Sequence, residues 1–538
     1  MDYFDDPTGL ITFSLVTAVV VAVPIARMIL AHYRQRISDL MRVGGTPPEE
    51  QLVERPGPNS ELVLEYNPAH SYAFESKVGS SGFVALVYAV AGIIWAALAT
   101  VLTFEFNEID SSPGKIVALG GVFLWPVAPL VMRMGAWGRR AEILGPLAVF
   151  GVTLLVGTMT GGGVAGAILA VWAITILPPI ATFVLVSWLG VPSVGPWVAG
   201  FLGAWILVIY VGLAGIVSLV TASDAVVTAF LITALATAVF VGRGVVRRVA
   251  RLYTLKKVSE EMLSADVWWI VFTGWLCVWL SIPGETLPEK WLGVLLGALA
   301  FVAYRVVVSL GLRTIGMRKP GPRLLLLRVF GQSRRSERLL DSVGRRWRRL
   351  GSIQLIAAPD VAAGTLDPQE LIEFLAGRLD RAFVKDAYGL EARMSDLDLA
   401  PDPDGTHRIT EFFCQDDAWR MTLQRLARDA NVVLMDLRGF GRENAGCIYE
   451  LGQLVDLVPT SQTVLIVDDD TDEEFLSHTL HGMWAKLRAD SPNRGETPSP
   501  LRVIVAHKKG REPTDRILSA LARLSSNTRD RTRAVAQI

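Results

Sequence analysis

Cysteine is scarce in this chain of 538 residues, which contains only Cys277, Cys414 and Cys447. Their number is odd and their spacing irregular, so the sequence predicts neither a disulfide framework nor a zinc site. His478 and His481 are one helical turn apart but have no third ligand nearby, and we predict no bound metal. The scarcity of cysteine fits a reducing compartment for the C-terminal part of the chain.

Neither sign of charge is in excess, because 52 Lys and Arg residues balance 52 Asp and Glu residues. A protein that binds nucleic acid usually carries a basic surface that neutralises phosphates. The overall composition gives no reason to expect such a surface. We therefore expect no nucleic acid partner.

The long apolar runs of the chain lack ionisable groups. Away from their ends they contain no Asp, Glu, Lys or His, and Arg305 is expected to snorkel to the inner face of a membrane. Ion-coupled transporters usually need ionisable side chains at membrane depth. This absence argues against a transporter.

Apolar residues are in excess: they make up 51% of the chain, at a mean hydropathy of +0.39. The excess is concentrated before residue 313, and each long run approaches the roughly 17–25 residues that cross a bilayer. We predict an α-helical polytopic membrane domain over residues 1–317, with about nine spans: Leu10–Leu30, Gly82–Thr103, Ile116–Met132, Ile143–Met159, Val164–Gly190, Trp197–Val220, Val226–Gly242, Ala265–Ile282 and Trp291–Leu312.

Basic and acidic loops alternate between these spans. The loops after the first, third, seventh and ninth spans are rich in Arg or Lys, and loops on the other side carry Glu or Asp. The positive-inside rule then places the N-terminus outside the cell, and residues 38–80 and the C-terminal domain in the cytoplasm. We expect a multi-pass protein of the cell (inner) membrane, with the lipid bilayer as a partner. Within residues 38–80, Leu62–Tyr66 is compatible with a short strand.

After a linker over residues 318–323, residues 324–524 alternate between apolar runs and amphipathic helical patterns. Five runs are predicted to be buried strands: Leu324–Phe330, Ile353–Ala358, Val432–Asp436, Thr463–Val467 and Leu501–Ala506. Helices between them predict a five-stranded, mostly parallel, doubly wound α/β sheet.

Two further features of this domain are predicted from its loops and ends. Between the second and third strands we expect a helix that ends near Phe383, then an acidic insertion or lid over Glu391–His407. The last helix is expected to end at Leu524, and residues 525–538 to form a flexible tail.

Several candidate functional residues lie in one predicted strand, the turn after it and the next predicted helix. The strand ends at Asp436, a polar turn extends from Arg438 to Asn444, and helical periodicity begins at Gly446. Glu450 then lies on the first or second turn of the helix. In open α/β sheets, ligands bind at the carboxyl ends of the strands and at the helix starts above them. Glu450 is therefore expected to point into that crevice or to stand near its rim.

The segment Cys447-Ile448-Tyr449-Glu450-Leu451 resembles the C-x-x-E-L segment of Toll/interleukin-receptor (TIR) domains, and Val329–Ser336 is similar to the end of the first TIR strand and the loop after it. The resemblance implies a flavodoxin/TIR-like sheet. It also implies that Glu450 is catalytic, as the matching Glu is in the TIR domains that cleave NAD. The chain departs from the TIR pattern at Ala445-Gly446, where a Ser-x-Trp usually precedes the Cys, and in a longer region between the second and third strands.

The same residues resemble a second family. Gly446–Gly452 is similar to the G-T-x-x-E-x-G segment of nucleoside deoxyribosyltransferases, in which the Glu is the nucleophile at the sugar. Both families break an N-glycosidic bond at a carbon that develops positive charge, and a nearby carboxylate stabilises that charge. The two resemblances imply NAD or a related nucleotide as the substrate, with no separate cofactor.

The predicted site combines one catalytic residue with a substrate-binding set. Glu450 is the catalytic residue, and the first loop seats the base. The substrate-binding residues are Gly331, Ser333, Arg334, Arg335, Asp436, Arg438 and Cys447.

Each of these residues also has a structural interpretation. Glu450 is equally compatible with a solvated carboxylate near a helix N-terminus. Cys447 is compatible with a small core residue, Asp436 with a turn residue and Arg438 with a solvated turn arginine. The basic helix that begins at Arg334 alternatively faces anionic lipids.

Asp468-Asp469-Asp470 precedes Thr471 and Glu474. This pattern favours a helix capping box that starts at Thr471 over a metal site.

The leading hypothesis is a membrane-anchored TIR-like effector or signalling protein that cleaves the N-glycosidic bond of NAD or a related nucleotide. The resemblance also implies self-association of the cytoplasmic domain. Two alternatives remain. One is a non-catalytic module that binds a nucleotide or a partner and gates the membrane domain, and the other is a transporter or channel with a regulatory cytoplasmic domain.

Overall fold

The computed structural model describes the following residues: 28, 31–40, 61–67, 81–108, 112–134, 139–159, 233, 240, 244, 247–249, 251–314, 320–328, 339, 342–357, 374, 379–415, 418–494, 499–507 and 513–535. The chain divides into two compact units. The first comprises Met1–His32, Ser80–Gly316 and Leu366–Ile372, and the second comprises Tyr33–Gly79, Met317–Thr365 and Glu373–Ile538. The segment expected to be a loop between two spans therefore belongs to the second unit.

The first unit is helical throughout its described elements. Three of its helices are long and apolar enough to cross a membrane, over Gly82–Phe106, Glu260–Ser281 and Pro288–Arg313. The structure thus supports three spans among the described residues rather than nine. The predicted spans at Leu10–Leu30, Val164–Gly190, Trp197–Val220 and Val226–Gly242 lie outside the described residues, apart from isolated positions. The helices are α1 (Ser81–Phe106), α2 (Pro113–Leu124), α3 (Val127–Met134), α4 (Arg139–Met159), α5 (Glu260–Ser281) and α6 (Leu287–Arg313).

The prediction of one continuous span over Ile116–Met132 is wrong. The chain forms α2 and α3 there, separated at Trp125 and Pro126, because proline has no N–H to continue the helical hydrogen bonds. The next predicted span, Ile143–Met159, lies within α4. Its apolar part is the shorter stretch Leu144–Val156.

Aromatic side chains join α1, α5 and α6 in the apolar core of this unit. The Trp269 ring lies 4.7 Å from Trp95 and 5.2 Å from Tyr304, and Trp95 donates from Nε1 to Thr273 Oγ1 at 3.0 Å.

Arg305 does not simply snorkel, as expected from the sequence. Its Nη1 lies 3.3 Å from Asp266 Oδ1, so α5 and α6 also share an ion pair. Asp266 is the second residue of the predicted span Ala265–Ile282, so this carboxylate lies near the end of the span rather than in its middle.

The second unit contains a parallel sheet of eight strands rather than five. The strands lie in the order β1-β8-β7-β6-β2-β3-β5-β4, and every neighbouring pair is parallel. Their bounds are β1 (Leu64–Tyr66), β2 (Arg323–Arg328), β3 (Ser352–Ala357), β4 (Phe383–Val384), β5 (Ile409–Cys414), β6 (Val432–Asp436), β7 (Thr463–Val467) and β8 (Leu501–Val505). The five predicted strands correspond to β2, β3, β6, β7 and β8. Of the other three strands, β1 lies within Leu62–Tyr66, the segment compatible with a short strand, whereas β4 and β5 were not predicted. These three strands extend both edges of the sheet.

Helices cover both faces of this sheet. Leu325 and Met435 face one side, where they pack with α8, α9 and α10, and Leu324 and Leu434 face the other side with α11. The described helices of this unit are α7 (Ala387–Ser395), α8 (Trp419–Asp429), α9 (Ala445–Leu457), α10 (Glu473–Trp484) and α11 (Thr514–Val535). The last of these continues past Leu524 through the segment expected to be a flexible tail. Because helices connect parallel strands on both faces, the unit is doubly wound.

Candidate functional site

The strand order reverses direction between β2 and β6. From β2 the chain moves outward to β3, and it later returns to place β6 on the opposite side of β2. Ligands of doubly wound proteins bind at such a switch point, outside the carboxyl ends of the strands. Here those ends are Arg328 and Asp436, which are paired in register.

The turn after β6 is shaped by one glycine and one buried ring. Gly439 has a φ of 68°, a left-handed conformation that glycine adopts without strain. Phe440 is buried and stacks on Phe475 with the ring centroids 5.8 Å apart. The Asn444 Oδ1 accepts from the Gly441 N–H at 2.8 Å, and α9 begins at the next residue. The turn thus fixes where the first residues of α9 lie above the sheet.

Asp436 and Arg438 are bound to each other. Arg438 donates from Nε to Asp436 Oδ1 and from Nη2 to Asp436 Oδ2, both at 2.7 Å. Both side chains are almost completely buried. Arg438 is therefore not a solvated turn residue. Each oxygen of Asp436 thus already accepts one hydrogen bond from the Arg438 guanidinium.

Glu450 lies on the inner face of α9, with 2% of its surface exposed. The alternative interpretation of a solvated surface carboxylate is therefore wrong. Its Oε2 atom is buried and has no hydrogen-bond partner among the described residues. Burial raises the pKa of the Glu450 carboxyl to about 8, and the positive charge of Arg328 acts in the opposite direction. Burial therefore favours the protonated form of this carboxyl over the ionised form.

Cys447 connects α9 to the end of β2. It is buried one helical turn before Glu450, and its thiol donates to the Arg328 carbonyl oxygen at 3.5 Å. This contact holds the first turn of α9 against the switch point. It agrees with the interpretation of Cys447 as a small buried residue, and it keeps Glu450 beside the end of β2.

Residues that the sequence reading missed support α9 from α8. Gln424 donates from Nε2 to the Tyr449 hydroxyl at 3.3 Å and to Gln453 Oε1 at 3.1 Å. The Trp419 ring lies edge-on to Tyr449 at 5.3 Å. The four-residue spacing of Tyr449 and Gln453 on one helix face is the sequence feature that pointed to such a contact.

Arg328 is a further residue near Glu450 that was not among the predicted site residues. It is a charged residue at the end of an apolar strand, and that sequence feature could have identified it.

The acidic run after β7 serves turns and caps rather than the predicted capping box. Asp468 accepts from the Gly439 N–H at 2.9 Å, and Thr471 Oγ1 donates to the Leu437 carbonyl at 2.9 Å. The N-cap of α10 is Asp472, whose side chain accepts from the Phe475 N–H at 3.0 Å. Thr471 is not the cap because its hydroxyl is used to join the β6 and β7 turns.

The structure thus brings together four of the predicted site residues around the ends of β2 and β6: Asp436, Arg438, Cys447 and Glu450. The other four lie outside the described residues: Gly331, Ser333, Arg334 and Arg335. No protein-family model, no curated protein and no solved structure matches the chain.

Proposed function

We propose that the second unit is a TIR-like domain that binds NAD or a related nucleotide at the switch point and cleaves its N-glycosidic bond. The observation that carries this proposal is Glu450, a buried carboxyl with an unpartnered oxygen, next to the carboxyl ends of β2 and β6. Perturbed carboxyls in such positions are enriched at functional sites. A buried group without a partner is destabilising, and a ligand that satisfies it offsets that penalty.

In the proposed reaction, the bond between C1′ of the ribose and the nicotinamide nitrogen breaks. Both bonding electrons go to the nitrogen, so nicotinamide leaves as a neutral molecule. Water adds to the ribosyl carbon, and its proton passes to Glu450 and then to solvent. The ionised carboxylate of Glu450 stabilises the positive charge that develops at the ribosyl carbon.

The raised pKa of Glu450 is compatible with this role because the substrate is itself cationic. A positive charge close to a carboxyl lowers its pKa. The pyridinium group of NAD supplies such a charge on binding. In the free protein the Glu450 carboxyl would thus be mostly protonated, and the bound substrate would favour its ionised form.

We further propose that the protein is anchored in the cell membrane with the second unit in the cytoplasm. The helices α1, α5 and α6 supply the anchor, and the basic loops supply the orientation by the positive-inside rule. Self-association of the cytoplasmic domain would then occur within the plane of the membrane.

The test uses the full chain in liposomes, with NAD and a measurement of free nicotinamide. Glu450→Gln should lower the rate by on the order of 10²–10⁴-fold. The matched control is Glu443→Gln, which changes an exposed carboxylate in the turn before α9. Equal nicotinamide release by wild type and Glu450→Gln refutes the catalytic proposal. So does an absence of release by the wild type at high protein density in the liposomes.

A second candidate function is nucleotide binding without turnover. The observation that favours it is the Asp436–Arg438 ion pair, in which both side chains already satisfy each other. Such a module would gate the membrane unit. Stabilisation of the protein by NAD in a thermal melt, with no nicotinamide released, supports this alternative over catalysis.

The Asp266–Arg305 ion pair favours a third candidate, a transporter or channel. Ionisable pairs between membrane helices mark solute or proton pathways. Liposomes that contain the full chain and a pH-sensitive dye should then show a proton flux that Asp266→Asn abolishes. A flux equal to that of protein-free liposomes contradicts this candidate.

A further inference from the structure

The strand β1 comes from the segment before the first long apolar helix and pairs with β8, the last strand of the chain. Leu64, Glu65 and Tyr66 are in register with Leu501, Arg502 and Val503. The Leu501 N–H also donates to the Val63 carbonyl at 2.9 Å. Residues more than 400 positions apart in sequence thus form one edge of the sheet.

Asn67 directly follows this strand and forms two hydrogen bonds with β8. Its N–H donates to the Val503 carbonyl at 2.8 Å, and its Oδ1 accepts from the Val505 N–H at 3.0 Å. Its φ of 43° lies in the left-handed region, which asparagine tolerates better than most residues. Asn67 therefore combines a backbone donor, a side-chain acceptor and a left-handed backbone conformation.

The same part of the chain is also held by apolar contacts. Leu62 is buried in the core that includes α8 and α9, and Leu64 packs against that core. Tyr33 is completely buried and lies edge-on to Phe374, with the ring centroids 5.5 Å apart. Tyr33 and residues 62–67 therefore contribute to the fold of the second unit at more than one place.

The strand that β1 covers, β8, is mostly apolar. β8 reads Leu-Arg-Val-Ile-Val, and its backbone groups on that side would be unpaired without β1. Exposed apolar edge strands pair readily with other chains, and proteins cover them to prevent this. β4, at the opposite edge, has only two residues and offers a shorter row of backbone groups.

We propose that residues 61–67 are a strap that covers the β8 edge, and that its release allows β8 to pair with β8 of a second copy of the chain. The same apolar strand would face itself across a two-fold axis, which is the commonest symmetry of protein dimers. Residues 68–80 join the strap to α1. Self-association would thus be controlled by a segment that lies between two predicted membrane spans.

The strap also constrains how the chain crosses a membrane. Residues 61–67 and 501–505 share one sheet, so they lie on the same side of the bilayer. The number of crossings between them is therefore even.

A disulfide tests the strap in the full chain. Glu65 and Arg502 are paired in the sheet, and the double substitution Glu65→Cys with Arg502→Cys places two thiols within bridging distance. The native cysteines Cys277, Cys414 and Cys447 are buried. Mild oxidation of membranes should give the linked peptide in mass spectrometry. Absence of that peptide, with both cysteines reactive toward maleimide, overturns the proposal.

Self-association is then compared in detergent by light scattering. Asn67→Pro removes the N–H, the acceptor and the left-handed conformation, and it should raise the dimer fraction several-fold. Asn67→Gly is the matched control because it keeps the N–H and the φ and loses only the acceptor, so its effect should be smaller. The oxidised double-cysteine protein should dimerise less than its reduced form. If oxidation and Asn67→Pro both leave the dimer fraction unchanged, the strap does not control self-association.

A thermal melt separates release of the strap from unfolding. If Asn67→Pro abolishes the cooperative transition, this variant is unfolded and is left out. The dimer fractions of the oxidised and reduced double-cysteine protein then test the proposal by themselves. None of these measurements depends on NAD cleavage, so their failure and the failure of the proposed enzymatic function are distinguishable.

Discussion

Arg328 and Asp436 are direct partners in neighbouring parallel strands, at the carboxyl ends of β2 and β6. This pairing fixes the point at which the strand order reverses. The groups around it are already hydrogen-bonded. Asp436 accepts from Arg438, and the Arg328 carbonyl oxygen accepts from the Cys447 thiol. Glu450 differs from these residues because its buried Oε2 atom has no hydrogen-bond partner in the part of the chain that the structure describes. Glu450 is therefore the residue on which the proposed function depends.

Glu450 should make the second unit less stable as the pH rises. Burial raises the pKa of this carboxyl from its ordinary value of 4.5 to about 8. Between these values the folded protein binds more protons than the unfolded chain, so the free energy of unfolding falls with increasing pH. The stabilisation is complete below pH 4.5 and is lost as the pH passes 8. Thermal melts of the full chain at pH 5 and pH 8.5 should show this fall, which is on the order of a few kcal/mol.

The variant Glu450→Gln identifies the source of this pH dependence. Glutamine has nearly the same shape and does not titrate, so the melting temperature should change less between pH 5 and pH 8.5. At pH 8.5 the variant should be more stable than the wild type. The exposed Glu443→Gln should retain the wild-type profile. An identical slope in wild type and Glu450→Gln would contradict a buried carboxyl with a raised pKa.

If Glu450 acts in its ionised form, NAD cleavage should depend on pH in a related way. The profile of kcat/KM reports the groups of the free enzyme. We expect kcat/KM to rise about tenfold per pH unit below pH 7 and to level off near pH 8. Initial rates of nicotinamide release between pH 5.5 and 9 measure this. A rate that is flat over this range rules out ionised Glu450 in the free enzyme as the acting form.

Breaking the Asp436–Arg438 ion pair from one side should be strongly destabilising. Asp436→Ala removes the carboxylate that accepts two hydrogen bonds from the buried Arg438 guanidinium, and loss of one partner costs about 3–5 kcal/mol in comparable buried pairs. The double variant Asp436→Ala with Arg438→Met removes both charges and should recover much of this loss. Urea unfolding of the wild type, Asp436→Ala, Arg438→Met and the double variant gives the coupling energy between the two side chains. Additive effects of the two substitutions would show that the side chains do not interact.

An exposed ion pair on α8 provides the comparison. Arg425 donates from Nε to Glu391 Oε1 at 2.7 Å, but the Glu391 side chain is mostly exposed. Solvent screens such pairs, so Glu391→Ala should change the free energy of unfolding by less than about 1 kcal/mol. The contrast separates the effect of burial from that of the ion pair itself.

The strands that were predicted correctly are those with continuous apolar runs. β2, β6 and β7 are buried on both faces, and a buried parallel strand needs apolar residues throughout. β5 was missed because it carries Glu411 and follows an acidic, turn-rich segment. β1 has three residues, and its partner is more than 400 residues away. No local pattern identifies that partner, and the two-residue β4 is too short to show any period.

The burial of Glu450 was predictable from helical periodicity, although the sequence reading left it open. Cys447, Leu451 and Leu454 are buried on α9 at spacings of three and four residues, and Glu450 falls within the same stripe. The direction of Arg438 was not predictable in the same way. A turn arginine reaches solvent or folds back according to the space above the sheet, and only the tertiary structure determines that space.

Close packing between α5 and α6 gives a prediction for the membrane unit. A Cβ atom added at Gly293 would lie 2.7 Å from the Leu280 carbonyl carbon and 3.1 Å from the Ser281 nitrogen. Both are backbone atoms, so the two helices must separate to admit it. Overpacking of this kind costs about 1–3 kcal/mol. Alanine favours a helix over glycine by at most about 1 kcal/mol, so the clash should exceed the gain.

Gly274 on α5 is the matched control, because a Cβ there meets no atom within 4 Å. Gly274→Ala should leave the melting temperature in detergent unchanged or raise it, whereas Gly293→Ala should lower it by several degrees. Both substitutions add the same methyl group to a helix of the same unit. The difference between them therefore measures the contact with Leu280 rather than helix propensity. Equal melting temperatures would mean that α5 and α6 do not approach this closely.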